Sequence, residues 1–103
     1  MFMFVLPESW FYATPEDSTA LWNELQVELP EGHILFRKPV KVIAHRDGAT
    51  DDILCNYLDE PDRFTVVHLT WSMKTEINEK FPTIEIDGSF EDFLNYENKF
   101  GFQ

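Results

Sequence analysis

The sequence predicts an α+β fold: a three- or four-stranded antiparallel meander sheet with an N-terminal and a C-terminal helix packed on it. Three observations lead there. A capped amphipathic stretch occupies residues 15–29. Strand-like runs separated by turn signals fill residues 40–86. A second capped stretch runs from about residue 90 to 100. At 103 residues the chain is one domain, residues 1–103, able to bury a small core.

The elements follow in order. Residues 2–6 (FMFVL) and 10–13 (WFYA) read as two short strands joined across Pro7 to Ser9. The helix over 15–29 has Thr14 as N-cap, Pro15 at its first position, and Glu16 and Asp17 at the positive end of the helix dipole. Leu21, Trp22, Leu25 and Leu29 are assigned to its buried face, with Glu24 and Glu28 on the other side; Pro30 and Gly32 end it. Residues 33–38 form an irregular link.

Residues 40–46 alternate as a strand, with Val40, Val42 and Ala44 on one side and Lys41, Ile43 and His45 on the other. Asp47-Gly48 is a turn signal, residues 53–58 a second strand, and Asp59 to Asp62 a second turn. The clearest strand spans 63–71: Val67, Leu69 and Trp71 share one face, and Val66, His68 and Thr70 the other. Residues 83–86 make a further strand, ended by Asp87-Gly88. In the last helix Ser89 and Asp92 resemble a capping box with Asp in place of Glu. Phe90, Phe93, Leu94 and Phe100 supply its apolar stripe, and Gly101 stops it.

Nineteen acidic residues stand against eight basic ones, a net charge of −11. Nucleic acid and anionic membrane surfaces are poor partners for such a chain, because phosphate binding needs clustered Lys and Arg. A basic protein partner is favoured. The charge is segregated: residues 1–32 carry six acids and no Lys or Arg, residues 33–58 a net of +1, and residues 59–103 a net of −6. Ten Phe, three Trp and three Tyr serve a small core, and any that stay exposed serve an interface.

The single cysteine, Cys55, excludes an intramolecular disulfide and a cysteine zinc site; in an apolar run it reads as an inert core residue. The N-terminal run lacks a positive leader region and is broken by Pro7 and Glu8, so it is neither a good signal peptide nor a membrane span. A cytoplasmic location is the resulting expectation.

The residues that could carry chemistry gather around 64–82. His68 lies on the clearest strand, beside the large aromatic Trp71, and could act as acid, base or ligand. His33, His45 and His68 have no tight ligand spacing, and no H-E-x-x-H, C-x-x-C or calcium-loop pattern is present, so no metal and no cofactor are expected. There is no G-x-S-x-G elbow and no glycine-rich phosphate loop, so no catalytic residue is assigned. Asp51 and Asp52 follow a turn, where they would bind a cation or a basic side chain or simply serve the turn. Arg46 lies across that turn and would pair with one of them at the surface for well under about 1 kcal/mol.

Several pieces together resemble a widespread family of small bacterial proteins with no established activity. They are Gly32-His33, Val42-Ile43-Ala44-x-Arg46, Asp51-Asp52-x-Leu54, V-V-H-L-T-W at 66–71, Glu76, Phe81-Pro82 and S-F-E-D-F at 89–93. The resemblance covers roughly residues 20–95 and leaves 1–14 outside. It implies that His68, Thr70, Trp71, Arg46 and Asp52 act as a group. The binding candidates are therefore His68, Thr70, Trp71, Arg46, Asp51, Asp52 and Glu76.

Three functions compete. The first is a non-enzymatic acidic binding protein of the immunity or antitoxin kind, neutralising a basic protein. The second is a structural or accessory domain without catalysis. The third is a small enzyme or ligand-binding domain with a cleft near His68. An exposed edge strand would also permit a homodimer.

Overall fold

The computed structural model describes residues 5–46 and 49–99. The elements are β1 (Trp10–Tyr12), α1 (Pro15–Glu28), β2 (Val40–Arg46), β3 (Ala49–Tyr57), β4 (Phe64–His68), β5 (Thr83–Gly88) and α2 (Phe90–Lys99). The five strands form one sheet in the order β1-β2-β3-β4-β5, each antiparallel to its neighbour. This is the expected α+β meander, with five strands instead of three or four. The fifth is β1, the short strand read at 10–13, which joins the meander with Trp10 opposite Arg46 of β2.

Both helices start as their sequences dictate. The Thr14 hydroxyl accepts from the Asp17 amide and Pro15 follows it. At α2 the Ser89 hydroxyl accepts from the Asp92 amide, and the Asp92 carboxylate accepts from the Ser89 amide. Asp thus closes the capping box as Glu would. The helix end at Phe100 and Gly101, the Asp47-Gly48 turn and most of the 2–6 strand lie outside the described residues; Val5 and Leu6 are not in a strand.

Each helix takes its own face of the sheet. On one, Leu21, Leu25 and Leu29 pack with Val42, Ile53, Cys55, Tyr57, Val67 and Leu69. On the other, Phe93 packs with Trp10, Ala44, Leu54, Phe64 and Val66. Strict alternation places Ala44 beside Val42, yet Ala44 belongs to the opposite core. The reason is a bulge. Val42 faces Cys55 and Ala44 faces Leu54, so Ile43 is an extra residue that turns the rest of β2 over. Arg46 is thereby aimed at α2.

The helix stripe also differs from expectation. Leu21, Glu24, Leu25 and Glu28 are the buried residues of α1, while Trp22 is partly exposed. Spacings of three, four and seven put these four on one helical face. Two glutamates therefore share the core stripe, and something polar must meet them.

β4 ends at His68, three residues earlier than its apolar run suggests. The Leu69 amide still donates to the Asp51 carbonyl, and Trp71 then turns to a φ of 56°. Residues 69–82 leave the sheet as a long strap that crosses to α1 before β5 begins.

Phe93 tests the α2 face. Its ring meets Trp10 edge-on, with centroids 5.3 Å apart, and it is almost wholly buried. Phe93→Ala should cost about 3–5 kcal/mol in denaturant unfolding. Phe11→Ala, at an exposed position of the same edge, should stay within about 0.5 kcal/mol.

Candidate functional site

Two polar clusters lie on opposite faces of the sheet, and they divide the predicted residues between them. The first gathers on the α2 face. Arg46 donates from Nε to Asp52 Oδ2 at 2.8 Å, and from Nη1 and Nη2 to Glu97 at 2.9 and 3.3 Å. Its guanidinium lies over the Trp10 ring at 4.7 Å, and the Trp10 indole N–H donates to Glu97 Oε1 at 2.9 Å. The expectation of a weak surface pair is overturned. The side chains of Arg46 and Glu97 are only 8% and 5% exposed, because the β2 bulge carries Arg46 under α2. A pair this dry is costly to break from one side.

Asp52 passes this order on to His68. The two residues face each other across β3 and β4, and His68 Nδ1 lies 2.7 Å from Asp52 Oδ1. The register jumps from His45 opposite Ile53 to Arg46 opposite Ala49. Asp52 therefore sits in a bulge relative to β2 while staying paired with His68. A third group joins from β5. Val66 faces Ile86 and Val67 faces Ile84, which leaves Glu85 as the extra residue of another bulge. Glu85 Oε2 lies 3.8 Å from His68 Nδ1, and its Oε1 accepts from the Tyr96 hydroxyl at 3.0 Å.

The electrostatics follow from this crowding. Burial would raise the Asp52 carboxyl, but bonds to His68 and Arg46 win and hold it below its ordinary range. Burial and the adjoining Asp52 push Glu85 upward. The bond to Asp52 holds the His68 imidazole above its ordinary value against partial burial, and Glu85 and Asp51 add to this. His68 itself is half exposed. The cluster therefore combines a charged, partly buried base with an imidazole open to solvent, which suits proton holding or cation ligation.

The second cluster holds the strap. Glu28 is fully buried at the end of α1, and its two carboxylate oxygens accept from the Thr70 and Trp71 amides at 2.9 and 2.8 Å. Glu24 accepts from the Met73 amide, the Thr75 hydroxyl donates to the Val27 carbonyl, and the Glu76 amide donates to the Glu28 carbonyl. Above these, Glu76 accepts from the Thr70 and Ser72 hydroxyls at 2.6 and 2.7 Å. Those hydroxyls hold its carboxyl below the ordinary range. Farther along, the Leu35 amide donates to His33 Nδ1, so His33 Nε2 carries the proton that the Pro82 carbonyl accepts at 2.7 Å. Gly32, at a φ of 98°, lets Glu79 lie where a Cβ would sit.

Burial pushes the Glu28 carboxyl up to about 7, Glu24 adds to this, and the Thr70 and Trp71 amides pull the other way. An isolated acid inside a core would be expelled. This one replaces the partners that two strap amides lost when β4 stopped.

The predicted residues thus separate. Arg46, Asp52 and His68 form one group, and Thr70 and Glu76 belong to the other. Asp51 contributes its carbonyl to Leu69, and its charge acts on His68. Trp71 packs against the α1 core, with its indole N–H buried and unpartnered among the described residues. His68 and Trp71 therefore do not share a cleft. Sequence reasoning missed Glu97, Glu85 and Glu28; only the helical spacing of Glu28 from Leu21 and Leu25 could have signalled it. Cys55 is fully buried, and burial alone pushes its thiol up to about 12. Among the described residues no helix is long and apolar enough to cross a membrane. No known protein family, curated protein or solved structure matches the chain.

Two outcomes test these clusters. Arg46→Ala takes the shared cation from buried Glu97 and partly buried Asp52 and should cost about 3–5 kcal/mol by chemical denaturation. For Glu28 the folded value exceeds the ordinary 4.5. Its contribution is complete below about 4.5 and is lost as pH rises through about 7, because the native state then holds a proton the unfolded state lacks. In urea titrations the wild type should lose stability across that window at up to roughly 1.4 kcal/mol per pH unit more than Glu28→Gln does. Parallel slopes for the two proteins would refute this role.

Proposed function

We propose that the chain is an acidic, non-enzymatic binding protein of the immunity or antitoxin kind, and that the strap is its contact surface for a basic protein. The observation that carries this reading is the strap's outer side. Met73 and Ile77 are 74% and 102% exposed, and Phe81 is 44% exposed. Their exposure contributes nothing to the core. Beneath them the backbone is fixed by Glu24, Glu28 and His33. A loop held still while it presents apolar side chains loses little entropy on binding.

Charge supports the same reading. The chain carries a net −11, and its most buried cation, Arg46, is consumed internally. Arg63 is likewise held, by Asp87 at 2.6 Å and Glu60 at 2.9 Å, over the Tyr57 ring. A basic partner would be steered by the acidic surface and anchored by the strap's apolar side chains. The buried, unreactive Cys55 suits a reducing cytoplasmic setting.

Co-expression with basic proteins encoded beside its gene should yield a complex whose association slows as salt rises. Ile77→Asp should weaken that complex roughly tenfold or more while moving the thermal midpoint by no more than about 2 °C. Failure of every basic neighbour to bind at low salt, or equal affinity after Ile77→Asp, would count against the strap reading.

A further inference from the structure

We propose that Asp52, His68 and Glu85 form a binding site for one divalent transition-metal ion, zinc being the ion that best suits the donors. Asp52 Oδ1, His68 Nδ1 and Glu85 Oε2 come from three adjacent strands, and the three donor groups lie within 4.8 Å of one another. One imidazole with two carboxylates is a donor set that zinc accepts.

The surroundings are arranged as metal sites require. Each carboxylate has its far oxygen occupied: Asp52 Oδ2 by the Arg46 Nε–H, and Glu85 Oε1 by the Tyr96 hydroxyl. The near oxygens are thereby turned toward His68. Ligands oriented from behind in this way keep their direction when an ion enters. The bulge at Glu85 is what aims it there, since regular alternation would set Ile84 and Ile86 on one face.

The local charge also calls for a cation. Arg46 is bonded into the group and faces the carboxylates of Asp52, Glu97 and Glu85. With His68 neutral, three negative charges meet one positive charge, an excess of two. A divalent ion cancels that excess. Arg46 does not block it, because the guanidinium occupies the oxygen of Asp52 that faces away from His68.

Binding is an exchange of one proton for one metal ion. Paired with Asp52, His68 starts as the imidazolium; its Nδ1 proton leaves to solvent, the Nε2 proton stays, and the Nδ1 lone pair of the now neutral ring and the Asp52 carboxylate oxygen coordinate the ion. The 2.7 Å separation must open to about 3.3 Å, the spacing of two ligand atoms on a tetrahedral zinc with bonds of about 2.05 Å. His68 is half exposed and can make that movement. Its exposure also leaves a coordination position for water, so the site is an open one.

The test is calorimetric titration of chelator-treated full-length protein with zinc chloride near neutral pH, paired with the visible spectrum of the cobalt-loaded protein. One equivalent should bind at micromolar or lower concentration, raise the thermal midpoint, and release a proton. His68→Ala and Glu85→Gln should each weaken binding by about tenfold or more. His45→Ala, at the histidine beside Asp17 instead, should leave it unchanged. If His68→Ala proves unfolded by circular dichroism, Glu85→Gln carries the test alone, since it keeps its shape and its bond to Tyr96. No saturable zinc binding at micromolar concentrations would overturn the proposal, as would full affinity in Glu85→Gln or affinity lost in His45→Ala.

Discussion

A carboxylate sealed from water sets the plan of this molecule. Glu28 lies at the end of α1 among leucines, and its two oxygens take the amides of Thr70 and Trp71. Without it, two partly buried backbone donors would lose their acceptors. With it, the chain can leave the sheet after His68 and still satisfy its backbone. That exit makes His68 the last paired residue of β4 and sends residues 69–82 across α1. Both candidate sites flank this one exit.

The sheet supplies the second constraint, through its bulges. A sheet with perfect alternation would keep Arg46 on the α1 face and Glu85 opposite Ile84 and Ile86. The bulges at Ile43 and Glu85 each insert one residue and reverse the faces beyond it. Arg46 then reaches Glu97 on α2, Asp52 stays across from His68, and Glu85 arrives beside them. The polar group is thus held by β2, β3, β4, β5 and α2 together, a rigid setting for ligand atoms.

Much of this was legible in the residues, and the failures have a common form. The caps at Thr14 and Ser89, the turn at Asp59 to Asp62, and the alternation of Val66, Val67 and His68 are local signals, and the structure follows them. Arg46 and Asp52 were also recognisable as partners, being on either side of one turn. What the sequence does not carry is the long-range partner. Glu28 reads as a solvent-facing glutamate until a strap arrives from forty residues away. Glu85 lies inside a short predicted strand, and the bulge that turns it toward His68 has no local signal. Trp71, which the resemblance groups with His68, stays with Val67 and Leu69 against the α1 core, as the strand alternation has it.

The pinning of the strap by Glu28 is the claim on which the rest stands, and amide hydrogen exchange measures it directly. In the native protein the Thr70 and Trp71 amides should exchange as slowly as their β3–β4 neighbours. In Glu28→Ala those two amides should lose their protection while the Leu54 and Val66 amides keep theirs. Thr70 and Trp71 amides that exchange at free-loop rates in the wild-type protein would contradict the account.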